Sequence, residues 1–125
     1  MDKIDYRILD ELQVECRLSS QVLADRVGLS TSQCWRRVKN LEEMEAIQAN
    51  VAILDPLSIG LQVTALANIN LIDHQPDTVA DFYSVVQSRK EILECWSTSG
   101  EHDFILKIVS ESIASYDDLL NKYIL

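Results

Sequence analysis

Between residues 26 and 40 the chain carries Arg26, Arg36, Arg37 and Lys39 and no carboxylate, inside a 125-residue protein whose formal net charge is −9. At about 100° per residue on a helix, Cys34, Val38 and Leu41 turn to one side, and Ser32, Arg36, Lys39, Asn40 and Glu43 to the other. Gln33 and Arg37 fall on the flanks. The outward residues are of the types that read DNA. An Arg36 fork suits guanine, an Asn40 or Gln33 amide suits adenine, and Lys39 and Arg37 suit phosphates. With Ser30, Thr31 and Ser32 at the start of the helix they form the expected DNA-binding set. A polar helical face is more often simply solvated. Here the adjoining turn chemistry and the fifteen acid-free residues favour nucleic acid. Trp35, beside the inward stripe, is expected to pack against the first helix.

The other reactive residues are sparse. Three glycines spread tens of residues apart exclude a phosphate-cradling loop or dinucleotide fingerprint. Cys16, Cys34 and Cys95 match no zinc or disulfide spacing and read as reduced core thiols. His74 reads as loop and His102 as an exposed turn residue beside Gly100, whose place between two strands calls for a hairpin with positive φ. No cofactor and no catalytic set is expected. The start of the chain has no basic segment leading into an apolar run, and no apolar stretch reaches 18 residues, so neither secretion nor membrane insertion is expected.

These residues need elements to hold them. Ile4, Ile8, Leu9 and Leu12 make one stripe of a helix starting near Asp2. A second helix should start at Ser19 or Ser20 and end at Gly28 in a left-handed turn. Ser30-Thr31-Ser32-Gln33 fits a capping box opening a third helix, which runs out near Met44 to Ile47. Val51 to Asp55 looks extended, and the stretch to Gly60 reads as a connector. Alternation from Leu61 to Leu71 predicts a half-buried strand with Leu66 as its one misfit. A helix from Pro76, strands Ile92–Ser99 and 104–109, and a last helix bearing Tyr116, Leu119, Leu120, Tyr123 and Ile124 follow. The expected fold is α+β. Residues 1–50 form a three-helix, winged-helix-like helix-turn-helix domain, 51–60 a linker, and 61–125 a βαββαβ ferredoxin-like domain lacking its last strand. The acid is concentrated in the second part: residues 51–125 carry −7 and residues 1–50 only −2.

Over nearly its whole length the sequence resembles the Lrp/AsnC (feast/famine) transcriptional regulators. The resemblance runs through Asp2, Ile4, Asp5, Ile8 and Leu9, then Leu23, Ala24, Arg26 to Ser30, then Cys34, Arg36 to Val38, Leu41 and Glu42. It continues in Leu54, Asp55, Pro56 and Gly60 and in Ser99, Gly100, Glu101 and Asp103. It departs at Glu45, where that family usually has glycine, and at Val22, where it has a capping acid. The resemblance implies double-stranded DNA as partner and a small-molecule effector, usually an amino acid. It also implies homodimers that can assemble to octamers, and a cytoplasmic, nucleoid-associated location. It places the effector at the turn of Gly100, Glu101, His102 and Asp103, the Gly100 amide meeting an α-carboxylate and Asp103 an α-ammonium. Three alternatives stay open: an architectural DNA-wrapping protein, a tetrapyrrole-binding enzyme similar to the siroheme decarboxylases, and an effector-domain protein whose helix-turn-helix binds protein.

Overall fold

A computed structural model describes residues 1–124; Leu125, the last residue of the expected second domain, lies outside them. The chain divides into two compact units, Met1–Ala52 and Ile53–Leu125. Among the described residues no helix is long and apolar enough to cross a membrane.

The first unit is three helices, α1 (Lys3–Val14), α2 (Ser20–Val27) and α3 (Thr31–Glu43). Each begins on a side chain that accepts an otherwise orphaned backbone N–H. Asp2 caps α1 and Asp5 reciprocates, Ser19 accepts from the Val22 N–H, and Ser30 with Gln33 closes the expected box on α3. The ends are also local chemistry. Gly28 is left-handed (φ 76°), and the Leu29 N–H reaches back to the Ala24 carbonyl at 3.0 Å. After α3 the same device recurs with Glu45 at φ 62°. There the Ala46 N–H donates to Leu41 O and the Glu45 N–H to Glu42 O, a Schellman turn built on a non-glycine residue. Ile8, Leu23, Ala24, Val27, Cys34 and Leu41 fill the core.

The second unit opens on a connector. Val51 to Asp55 forms no strand, and Leu57–Ile59 makes a single 3₁₀ turn before left-handed Gly60. Strand β1 (Val63–Ile69), helix α4 (Pro76–Ser88), strands β2 (Ile92–Ser97) and β3 (Phe104–Ser110) and helix α5 (Ile113–Leu119) follow. The last five described residues, Leu120–Ile124, widen into a π-helical turn. Both neighbours of the central β3 run antiparallel to it, in the order β1-β3-β2. This is the ferredoxin-like βαββα arrangement, with three strands among the described residues; the outer edge of β1 is where a fourth strand of that fold would add. The helices cover one sheet face, on which Ala67, Ile69, Phe82, Ile92, Phe104, Leu106, Ile108 and Leu119 are buried. Leu66, the one misfit of the alternation, stands on the other face with Thr64 and Asn68, across from Lys107, and is 71% exposed.

The cysteines are all free, but only Cys34 is a core thiol. Cys95 is half-buried and Cys16 exposed.

Candidate functional site

The tight turn from Gly28 to Ser30 presents α3 with its N-terminal half free. Ser30, Thr31, Ser32 and Gln33 are exposed there, but two of them already have work. Ser30 Oγ accepts the Gln33 N–H and Gln33 Oε1 accepts the Ser30 N–H, both at 3.2 Å. A two-point contact from Gln33 to adenine would break that box. Asn40 and Arg36 have exposed side chains with no hydrogen bond or ion pair among the described residues, so Asn40 is the amide with both ends free.

The cationic stretch is less bare than its sequence. Arg26 pairs with Glu11 at 2.9 Å and Lys39 with Glu42 at 3.4 Å. Arg37, expected on a phosphate, points its Nη1 at both oxygens of Asp2 (2.8 and 2.7 Å) and at Asp5 Oδ1 (3.1 Å). Its guanidinium is thus built into the cap of α1 and clamps α3 to that helix. The Arg37 hydrogen bond, then the Asp5 N–H, holds the Asp2 carboxyl below the usual aspartate range, and Arg37 is pushed up in turn. Of the four cations only Arg36 is without a carboxylate partner among the described residues. Trp35 also departs from expectation. It joins no core and stands 55% exposed, with Lys39 Nζ 5.6 Å from its ring centre.

In the second unit the turn between β2 and β3 is tied to the end of β1. The Asp103 N–H donates to Ile69 O (3.0 Å) and to Asn70 Oδ1 (3.1 Å). Asp103 Oδ2 accepts the Leu71 N–H at 2.8 Å, and Oδ1 lies 2.9 Å from His74 Nε2. His74 is therefore part of the site and not bare loop. It leads the influences that hold the Asp103 carboxyl low, followed by the Leu71 N–H. Thr98 pins the other side, its N–H on Asp103 O and its hydroxyl on the His102 carbonyl. His102 is half-buried, not exposed, and its Nδ1 is buried with no partner. Gly100 and Glu101 are exposed. Gly100 is not left-handed, and a Cβ there would meet nothing within 4 Å, so the hairpin needs no glycine. The Gly100 N–H makes no hydrogen bond among the described residues, on an exposed turn. A cleft of about 490 Å³ lies at the opposite end of the sheet, beside Arg89, Lys122 and Tyr123, and contains none of residues 100–103. Its Arg89 stacks 4.3 Å from the Tyr123 ring and pairs with Glu91.

Comparison with known proteins decides the family. A family model described as winged helix-turn-helix DNA-binding matches residues 1–48, and one described as the Lrp/AsnC ligand binding domain matches residues 64–125. The chain is 36% identical over 99% of its length to the DNA-binding transcriptional activator DecR of Escherichia coli K12, covering 82% of that protein. This chain belongs to the Lrp/AsnC family of transcriptional regulators. It is also 38% identical over its full length to the leucine-responsive regulatory protein of Klebsiella pneumoniae, covering 76% of it. The solved L-Met complex of a transcriptional regulator from Neisseria meningitidis superposes with a TM-score of 0.92 at 31% identity, over 98% of this chain and 79% of that one. Membership makes the protein a DNA-binding transcriptional regulator and sets it apart from the tetrapyrrole enzymes.

Two features above were not read from the sequence: the place of His74 beside Asp103, and the exposure of Trp35. His74 and Asp103 are 29 residues apart and meet only because β1 and β3 pair. Trp35 sits near the boundary between the two faces of its helix, where periodicity does not choose.

Proposed function

We propose that α3 of this Lrp/AsnC regulator lies in the major groove, with Arg36 and Asn40 on base edges and Lys39, Thr31 and Ser32 along the phosphates. The single observation that carries this is the pair of exposed, unbonded side chains, Arg36 and Asn40, one turn apart on the free side of α3. Ser30 and Gln33 offer the groove the capped start of the helix, and Arg37 is a positioning residue that fixes α3 on α1.

The effector is an amino acid bound at the turn of Gly100, Glu101, His102 and Asp103. The Gly100 amide takes the α-carboxylate, and the second lone pairs of the Asp103 oxygens take the α-ammonium beside His74. Support comes from one relative named for leucine and another solved with L-Met, and from a carboxylate held ionised at the turn. Two copies associate through the open sheet face, where Leu66 and Trp96 stand exposed beside half-buried Ile105. The protein then acts on the chromosome in the cytoplasm.

The test is titration of a duplex from the gene's own upstream region at two salt concentrations, with L-leucine and L-methionine added in turn. Tight, salt-dependent binding that is weakened and made unspecific by Arg36→Ala, and shifted by one amino acid only while Asp103 is intact, is expected. Equal affinity for random DNA would instead favour an architectural, DNA-wrapping role, since a regulator prefers its site by about 10³ or more.

A further inference from the structure

Trp35 is a costly residue to leave in water. Full burial of so large a side chain is among the strongest contributions a core can receive, yet the three-helix core closes without it. Its neighbours on α3 decide what it faces. Ser32, Trp35 and Lys39 are spaced i−3, i, i+4, which puts them on one strip of the helix, next to the strip of Arg36 and Asn40. Lys39 Nζ lies 5.6 Å from the indole centre and pairs with Glu42, so one face of the ring is flanked by a cation. An apolar edge therefore stands among groove-seeking donors, in the N-terminal half of the helix that reads bases. The apolar feature a major groove offers is the C5-methyl of thymine, and it carries sequence information.

We infer that Trp35 is a specificity-determining residue that packs its indole against a thymine methyl group next to the base read by Arg36. The inference rests on α3 being the recognition helix. It adds that each half-site contains a thymine whose methyl group, and not its hydrogen-bonding edge, is what the protein selects. Lys39, drawn over the same ring, sits where it meets the phosphate flanking that thymine.

Uracil in place of thymine removes the methyl and nothing else, so the experiment uses duplexes chosen by the full chain from a random pool, with each thymine replaced by uracil in turn. For the unmodified protein one such position in each half-site should weaken binding by about fourfold, the worth of one buried methyl group. Trp35→Ala should bind the parent duplex more weakly and be indifferent to uracil at that position, while keeping its sensitivity at the base contacted by Arg36. Because Trp35 is exposed the variant folds, and its unchanged circular dichroism melt checks this. In a Trp96→Phe background that binds the selected duplex as tightly as the parent, the remaining indole emission should be quenched on adding that duplex. The inference is overturned if no uracil position matters to the unmodified protein, if Trp35→Ala keeps the same uracil penalty, or if the emission is unmoved. Failure of the recognition-helix reading looks different: Arg36→Ala would then leave the selected sequence unchanged, which overturns both together.

Discussion

Arg37 shows how far one side chain's role depends on partners remote in sequence. Read along the helix it is a cation on the flank of a DNA-facing surface; in three dimensions Asp2, 35 residues away, uses it to complete a cap. The two roles separate experimentally. If Arg37 met a phosphate, removing it would reduce the slope of log affinity against log salt by about 0.9. As a clamp it should not, so Arg37→Ala is expected to keep the slope, lose affinity modestly and lower the melting temperature of the first unit. The pH dependence has a definite sign. A carboxyl held below its unfolded value contributes stability that is present above about pH 4, the ordinary aspartate pKa, and lost as the pH falls through the lowered folded value. The gap in denaturation midpoint between the unmodified protein and Arg37→Ala should therefore be full at pH 7 and narrow progressively as the pH falls below the ordinary aspartate range. Asp103 follows the same logic at the effector turn. Asp103→Asn keeps the shape and the Leu71 contact but removes the charge, and should abolish the amino-acid shift in DNA binding while leaving affinity without effector intact.

Helix ends were the most legible part of the chain. Asp2, Ser19, Ser30 with Gln33, and Gly28 all act within four or five residues of themselves, so their chemistry is written next to the backbone they satisfy. The contacts that escaped reading, Arg37 with Asp2 and His74 with Asp103, join positions brought together only by packing. Trp35 escaped for another reason: periodicity assigns faces clearly at the centre of a stripe and poorly at its edge. Glu45 lies between these cases. Its departure from the family's glycine was visible, and the structure keeps the left-handed turn all the same, with the hydrogen bonds of the Schellman motif intact. The Cβ is then the only part of that turn that is out of place. Glu45→Gly should relieve a strain of about 1 kcal/mol, partly offset by the freer unfolded chain. The expected result is a rise of a few degrees in the melting temperature of the first unit, with no change in the sequence bound.

For the molecule as a whole, the arithmetic of charge argues that one copy is not enough. The chain is strongly acidic, and three of its four clustered cations already face carboxylates, which leaves each unit with few charges to give to phosphate. On the proposed dimer, affinity comes from joining two recognition helices, since a second site engaged within one complex multiplies binding without new contacts. The sheet supplies the means. Leu66 and Trp96, at 71% and 63% exposed, lie on the face that the helices leave bare, and Ile105 is paired in register with Trp96 between them. Covering that face with a second copy removes the indole and both aliphatic side chains from water, with Lys107 and Glu94 in register across from Leu66 on the same face, a gain that losing Leu66 and Trp96 together would cancel. Leu66→Glu with Trp96→Ser should therefore leave each unit folded, convert the protein to a monomer in sedimentation velocity, and lower affinity for a two-half-site duplex by about a hundredfold. Affinity for a single half-site should not change. If the double variant stays dimeric, the sheet face is not the interface; if it becomes monomeric and still binds the full site as tightly, the two recognition helices do not act as a pair.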